Sequence, residues 1–271
     1  MNYKQVSIQV DTSEVSDILI ALLSEEGFEG FEQQENVLIG FIAADVFDEN
    51  FLSETLRPFN LGFSISDIPK TNWNREWEEN FEPVIVDEFC TIRAHFHKMV
   101  VSTPYEVVIT PKMSFGTGHH ATTQLMVSMM GQMDFKRKSV LDFGTGTGIL
   151  AILARKLGAD EVVAIDHEDW ACENAMENIQ RNEAGNVEVY CGSLDKVDGK
   201  SFDLILANIN RNILLEYMDA LYANCKRGGA ILMSGLLEED ESAILDAATR
   251  SGMHFVASKS QSGWIALHMS C

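Results

Sequence analysis

Ser139-Val-Leu-Asp-Phe-Gly-Thr-Gly-Thr-Gly-Ile-Leu150 is the stretch that decides the fold, because an apolar strand runs directly into a turn rich in glycine. A helix over residues 149–157 follows the turn, so backbone N–H groups can face a ligand that resembles a nucleotide. The next predicted strand ends at Asp166, whose carboxylate can accept hydrogen bonds from both hydroxyls of a ribose. The stretch therefore predicts an α/β domain that binds a nucleoside.

The spacing of the glycines indicates which nucleoside is bound. A dinucleotide fingerprint would need a glycine at position 149, which is Ile in this chain. The chain instead reads Asp-x-Gly-x-Gly-x-Gly from Asp142 to Gly148. This pattern resembles the first motif of the class I S-adenosylmethionine-dependent methyltransferases. A glycine-rich turn in another kind of α/β protein is the alternative.

Composition and charge narrow the class of protein. The chain has 271 residues, 46% of them hydrophobic, which is enough for one large or two modest domains. It has neither a signal-peptide pattern nor an apolar run of roughly 18 residues, so we expect a cytoplasmic protein without a membrane span. The formal net charge of −21 disfavours direct binding to nucleic acid and favours a cationic protein partner. Solubility alone would also explain such a charge.

Cysteine and histidine give no sign of a metal site. The five cysteines are scattered without a Cys-x-x-Cys pair, so we expect reduced thiols and no disulfide framework. His95 and His97 have the spacing of metal ligands, but no third ligand stands nearby in the sequence. We interpret them as surface histidines.

The chain divides into a small domain over residues 1–68, a linker over 69–82 and a large domain over 83–271. The small domain reads βαββαβ, which predicts a ferredoxin-like α+β fold. It contains no cluster of catalytic residue types, so we interpret it as the domain that recognises the substrate, with a purely structural role as the alternative. The linker predicts a short helix that packs Trp73 and Trp77 at the domain junction.

The large domain alternates strands and helices after Asp166. This order predicts a doubly wound, mostly parallel sheet with an antiparallel pair, residues 253–258 and 264–268, at its edge. The fourth strand of this sheet ends at Asn208, where open α/β sheets hold their ligands. The amide of Asn208 and the carbonyls beside it can accept from an amino group and orient its lone pair. A simple turn after the strand is the alternative role.

A second loop rich in glycine precedes this sheet. The segment from Phe115 to Thr123 reads Phe-Gly-Thr-Gly-His-His-Ala-Thr-Thr and opens a predicted helix over residues 121–133. Hydroxyls and N–H groups at a helix start can hold the carboxylate of a methionine moiety. An ordinary helix cap would explain the threonines but not the Phe-Gly-Thr-Gly run.

These segments, together with Ala207-Asn-Ile209 and the small N-terminal domain, resemble the bacterial ribosomal protein L-eleven lysine methyltransferases, the PrmA family. The resemblance covers the whole chain and implies a monomeric enzyme that uses S-adenosylmethionine. It implies that the cofactor contacts are Thr123, Gly144 with Gly146 of the same turn, Asp166 and Asn208. It also implies that the N-terminal domain holds a protein of the large ribosomal subunit.

The chain departs from the family pattern at three positions. His119 stands where the family has Thr, Ala121 where it has Pro, and Asn210 where it has an apolar residue. We expect cofactor binding to survive these changes, whereas the stiffness of the loop and the range of substrates are in question.

Methyl transfer to an amine relies mainly on positioning. The lysine must first lose a proton, and a partly dry pocket beside the sulfonium lowers its pKa. We predict that Asn208 aligns the amine, and we assign no general base.

Three alternatives stay open: a methyltransferase for another amino group or a glutamine amide, an oxidoreductase dependent on nicotinamide, and a protein that lacks catalysis. The glutamine enzymes have Asn-Pro-Pro-Tyr at the end of this strand, whereas this chain has Asn208-Ile-Asn-Arg211.

Overall fold

The computed structural model describes residues 3–10, 12–34, 36–68, 81–98, 103–112 and 115–271. The chain forms two compact units, Met1–Asn80 and Phe81–Cys271. The predicted helix around Trp73 and Trp77 lies outside the described residues, and the three predicted domain ranges stay a prediction.

The N-terminal unit is one antiparallel sheet with two helices. Its elements, in chain order, are β1 (Tyr3–Gln9), α1 (Ser13–Glu25), β2 (Phe28–Gln34), β3 (Val37–Ala43), α2 (Glu49–Leu56) and β4 (Phe63–Ile68). The strand order β2-β3-β1-β4, with every neighbour antiparallel, is the predicted ferredoxin-like arrangement. Leu19 and Leu23 lie one turn apart on α1 and are fully buried against the sheet's core, which includes Val6 and Ile8.

The C-terminal unit contains two sheets. The smaller sheet consists of β5 (Val84–Val86), β6 (Cys90–Ala94) and β7 (Tyr105–Ile109). The strands of the larger sheet are β8 (Ser139–Phe143), β9 (Glu161–Asp166), β10 (Val187–Cys191), β11 (Phe202–Asn208), β12 (Cys225–Leu237), β13 (His254–Gln261) and β14 (Trp264–Ser270). The helices are α3 (Ala121–Met130), α4 (Ile149–Lys156), α5 (Asp169–Arg181), α6 (Arg211–Ala223) and α7 (Glu241–Ser251).

The larger sheet has the order β10-β9-β8-β11-β12-β14-β13. Its first five strands are parallel, and β14 is antiparallel to both of its neighbours. All five residues of β8 are buried, since one hydrophobic cluster covers each face of the sheet. The predicted doubly wound sheet with an antiparallel edge pair is therefore confirmed.

Several elements differ from the predicted bounds. Strand β7 was not predicted, and α3 ends three residues early, at Met130. The segment from Lys226 to Gly229 lies inside β12, where a shift in register after Phe202 accommodates its residues as a bulge. Strands β13 and β14 join through Ser262 and Gly263, both with positive φ, which is a tighter turn than predicted.

Two of the cysteines lie close together in the fold. Cys172 lies beside Cys191, and their Cα atoms are 5.9 Å apart. The two residues are far apart in the sequence. The fold brings them together because Cys191 lies opposite Asp166 in the β9–β10 ladder and Cys172 lies in α5, which begins just after Asp166.

No helix within the described ranges is long and apolar enough to cross a membrane. Within the same ranges, no group of three His, Cys, Asp or Glu side chains is arranged to hold a metal ion.

Candidate functional site

Two adjoining cavities lie at the carboxyl ends of β8, β9 and β11. This is the topological switch point of the sheet, because β9 and β11 lie on opposite sides of β8. Their volumes are about 480 Å³ and about 290 Å³. They are called here the large and the small cavity. Both are lined by Gly144, Asp166, His167, Ile209 and Asn210. The shared lining makes them one continuous candidate site.

The glycine turn between β8 and α4 is held tightly against its neighbours. The N–H groups of Gly144 and Thr145 donate to the carbonyl of Ile165, at 2.8 and 3.0 Å. A Cβ atom on Gly144 would lie 2.2 Å from Cγ2 of Ile209, and one on Gly146 would lie 2.4 Å from the carbonyl oxygen of Phe115. Both glycines also have positive φ. Glycine is therefore required at both positions, by the backbone conformation and by the close approach of Ile209 and Phe115.

Asp142, the acid of the same motif, is fully buried beneath the turn. Its Oδ2 atom accepts from the Thr145 hydroxyl at 2.6 Å and from the Ala151 N–H at 3.1 Å. Burial raises the pKa of this carboxyl to about 7, although both hydrogen bonds act in the opposite direction. Asp142 therefore ties the turn to the start of α4 and stays out of the cavity lining.

Asp166 borders both cavities and is 8% exposed. Its Oδ2 accepts from the N–H of Gly146 at 2.9 Å, and its Oδ1 accepts from the N–H of Glu168 at 3.2 Å. A carboxylate has about four acceptor positions, so about two remain for hydroxyl donors of a ligand. The predicted ribose acid is therefore fixed in place by the turn and still has acceptor capacity.

Asn208 lines the large cavity. Its Nδ2 donates to Oγ1 of Thr123 at 3.5 Å, whereas its Oδ1 is buried without a partner among the described residues. A buried acceptor left unsatisfied costs about 1–3 kcal/mol, which is consistent with an acceptor kept for a ligand. Thr123 is 1% exposed and accepts this hydrogen bond from Asn208, while its neighbour Thr122 lines the cavity.

The loop before α3 is bound to the glycine turn. The Thr147 N–H donates to the Phe115 carbonyl at 3.0 Å, and the Thr147 hydroxyl donates to the Gly116 carbonyl at 2.5 Å. Beyond this junction, three rings form an aromatic wall of the large cavity. The His120 ring lies 5.2 Å from the ring of Phe115 and 4.6 Å from that of Trp264, both edge to face.

The rim of the large cavity is aromatic and acidic. Phe115 is 51% exposed, and Trp170 is 46% exposed with its indole N–H donating to Glu168 at 3.0 Å. Asp166 and Glu168 line the large cavity and Glu216 the small one, whereas the described lining residues of both include neither Lys nor Arg. Such a surface favours a cationic ligand and a cationic substrate group.

The three departures from the family pattern have local roles. Nε2 of His119 lies 3.0 Å from the Glu82 carbonyl, and the residue is absent from the lining of both cavities. Ala121 begins α3, where the side chain of His120 caps the helix. Asn210 accepts from the Ile213 N–H at 3.2 Å and so caps α6, while it also borders both cavities.

Sequence reasoning missed the aromatic wall, Thr122 and Trp170. No local pattern could place Trp264 beside His120, because a loop and the distant strand β14 bring them together. Of the two histidines taken as surface residues, His95 is exposed, whereas His97 is half-buried and accepts from the Ala94 N–H at 3.2 Å.

Comparison with known proteins gives a consistent result. The sequence profile described as ribosomal protein L11 methyltransferase (PrmA) matches residues 4–271. A ribosomal protein L11 methyltransferase of Phocaeicola vulgatus is 42% identical over 260 residues, covering 93% of this chain and 92% of that protein. A second, from Chlorobaculum tepidum, is 35% identical and covers 89% of this chain and 86% of that protein. The crystal structure of a ribosomal protein L11 methylase from Lactobacillus delbrueckii subsp. bulgaricus matches with a TM-score of 0.65 at 29% identity, covering 70% of this chain and 98% of that one.

Proposed function

The chain belongs to the ribosomal protein L11 methyltransferase (PrmA) family, and from this premise we propose that it transfers methyl groups from S-adenosylmethionine to lysine amino groups of ribosomal protein L11. The observation that carries the proposal is the buried, unpartnered Oδ1 of Asn208, a residue that lines a cavity together with Asp166 and the glycine turn. The proposed nucleoside site and the proposed acceptor for an amine would thus share one cavity.

The residues present suit S-adenosylmethionine. Asp166 would accept from the ribose hydroxyls, and the turn at Gly144 and Gly146 would hold the chain that joins ribose to the amino acid. The small cavity has apolar walls, including Ile209, Ile213 and Phe143, that suit a flat adenine ring. The cofactor supplies a methyl group on a sulfonium, and its positive charge suits a site lined by acids.

The protein's own residues would act by positioning and by excluding water. A lysine has an unperturbed pKa of about 10.4, so at neutral pH only about one in a thousand or fewer is neutral. Transfer into the large cavity would lower this pKa by desolvation. Asn208 Oδ1 would then accept one amine N–H and direct the nitrogen lone pair, with Thr123 fixing the amide orientation. No side chain is assigned as a general base.

The small N-terminal unit is the proposed recognition domain for L11. Its hydrophobic core lies within residues 6–65, separate from the clusters that surround the cofactor site. The described residues that line the two cavities belong to the second unit, Phe81–Cys271. In this proposal the second unit carries the chemistry and the N-terminal unit binds the protein substrate.

Methylation of purified L11 tests the proposal directly. The protein is incubated with methyl-labelled S-adenosylmethionine and L11, and the modified residues are located by mass spectrometry. Label on lysine amino groups is expected, and Asn208→Ala should abolish most of it. Label only on a glutamine amide, or none on L11 with transfer to another ribosomal protein, would replace the proposed substrate.

A further inference from the structure

Helix α5 carries a row of asparagines that substitutes for a neighbouring strand. Asn174 and Asn178 lie on one face of the helix, and Asn182, four residues further on, is the C-cap that continues the same row. The amide of Asn182 accepts from the Val108 N–H at 2.9 Å and donates to the Val108 carbonyl at 2.6 Å. Asn174 donates to the Thr110 carbonyl at 3.1 Å. Strand β7 pairs with β6 on one edge, and these side chains bond to the backbone of residues 108–110.

Asn178 differs from Asn182 because it has a second partner outside this row. Its Oδ1 accepts from the Thr110 N–H at 2.7 Å, and its Nδ2 donates to the Thr147 carbonyl at 2.8 Å. Asn178 is fully buried, so both bonds are shielded from water. One amide therefore connects the end of β7 to the glycine turn.

Thr147 continues this connection toward the cavity. Its own N–H and hydroxyl donate to the carbonyls of Phe115 and Gly116. The fit is close, since a Cβ atom on Gly116 would lie 2.8 Å from Oγ1 of Thr147. The loop between β7 and α3 is thus held at its base through Asn178 and near its middle through Thr147.

We propose that Asn178 is a positioning residue for the cofactor site, which holds the loop that carries Phe115 against the glycine turn. The inference rests on the proposed function, because the loop and the turn face the cavity assigned to S-adenosylmethionine. Asn178 lines neither cavity, so its effect is transmitted through Thr147. Asn182 belongs to the same row but does not bond to Thr147, and it is therefore the matched control.

The test compares Asn178→Ala, Asn182→Ala and Thr147→Val in the full-length protein. Dissociation constants for S-adenosylmethionine are measured by calorimetry, KM and kcat with L11, and melting temperatures on the same samples. Asn178→Ala should raise the dissociation constant and the KM for S-adenosylmethionine about tenfold, the effect of about one hydrogen bond. The kcat at saturating cofactor should fall less. Asn182→Ala should lower the melting temperature by a similar amount and leave the dissociation constant unchanged.

Thr147→Val keeps the side-chain volume and removes only the hydroxyl bond to Gly116, so it tests the same connection if Asn178→Ala does not fold. It should weaken cofactor binding about threefold or more with a melting temperature near that of the wild type. Unchanged affinity in the folded variants, or a loss that is equal in Asn182→Ala, would overturn the inference. A wild-type protein that does not bind S-adenosylmethionine would overturn the proposed function, which distinguishes the two failures.

Discussion

The Nδ2 atom of Asn208 lies 3.5 Å from the Oγ1 atom of Thr123, although 85 residues separate them in the chain. This contact brings the carboxyl end of β11 against the first turn of α3. It uses the donor side of the amide, which leaves the oxygen, Oδ1, buried and without a partner among the described residues. Thr123 therefore orients Asn208, and its neighbour Thr122 lines the large cavity.

Replacement of Asp166 tests the ribose site. Asp166→Ala should remove two hydrogen bonds to a charged acceptor, each worth about 1.5–3 kcal/mol, and weaken S-adenosylmethionine binding at least tenfold. The melting temperature should also fall, because the carboxylate holds the N–H groups of Gly146 and Glu168. Calorimetry with the cofactor measures the first effect and a thermal melt the second.

Glu161→Ala is the matched control for Asp166, since Glu161 begins the same strand at its opposite end and is exposed. This variant should bind the cofactor normally. A dissociation constant for Asp166→Ala equal to that of the control would remove Asp166 from the site.

Removal of the N-terminal unit separates recognition from chemistry. A truncated protein that begins near Pro69 retains every described residue that lines the two cavities and both clusters of the larger core. It should bind S-adenosylmethionine with an affinity near that of the full chain. Methylation of intact L11 should be lost, as measured by mass spectrometry. Full activity on the intact protein would show that the N-terminal unit is not the recognition domain.

The buried carboxyl of Asp142 gives a prediction about pH. In an unfolded chain it would titrate near about 3.9, whereas burial raises its pKa to about 7 in the fold. Between these values the folded state holds a proton that the unfolded state has lost. Asp142 therefore stabilises the fold fully below about pH 4, and this contribution is lost as the pH rises through about 7.

Asp142→Asn removes this titration while the side-chain shape is kept. The free energy of unfolding of the wild type, relative to the variant, should fall by up to about 1.4 kcal/mol per pH unit between about pH 5 and 7. Denaturant melts of both proteins across this range provide the measurement. A difference that does not change with pH would show that the carboxyl is ionised throughout.

Sequence patterns predicted the architecture because its decisive elements are local. The strand, turn and helix around Gly144 follow from apolar periodicity and glycine placement, and the βαββαβ order follows in the same way. Among the described strands, β7 pairs with β6 alone. The backbone of Val108 and of Thr110, just after the strand, also bonds to the side chains of Asn182 and Asn178. The residues of β7 themselves favour a strand, but no local pattern could show that asparagines of a later helix support it.

The location of a candidate site residue was predictable where the residue stands at the carboxyl end of a strand. Asp166 and Asn208 lie at the ends of β9 and β11, and both line the large cavity. The division of roles between Thr122 and Thr123 was not predictable, because it depends on which hydroxyl the turn of α3 directs toward Asn208. Contacts between distant elements, such as His120 with Trp264, likewise depend on packing that no single segment encodes.

Asn208 is the residue whose replacement most directly tests the chemistry. If its Oδ1 aligns the target amine, Asn208→Ala should lower kcat by about ten to a thousandfold, or roughly 1.4–4 kcal/mol of transition-state positioning. Cofactor affinity should change less. Thr123→Val should lower kcat by a smaller factor, because the amide then keeps its acceptor but loses the hydroxyl that orients it. Single-turnover methylation of L11 at saturating cofactor gives the rates.

A role in stability alone would give a different pattern. Asn224→Ala is the control, since Asn224 lies at the end of α6 and its amide donates to the Ala220 carbonyl at 2.9 Å, away from both cavities. It should lower the melting temperature and leave the single-turnover rate of the folded protein unchanged. If Asn208→Ala behaves like this control, the aligning role is refuted. If Asn208→Ala instead loses cofactor affinity in proportion to its rate, Asn208 binds the methionine portion of the cofactor, and its buried Oδ1 accepts from that group.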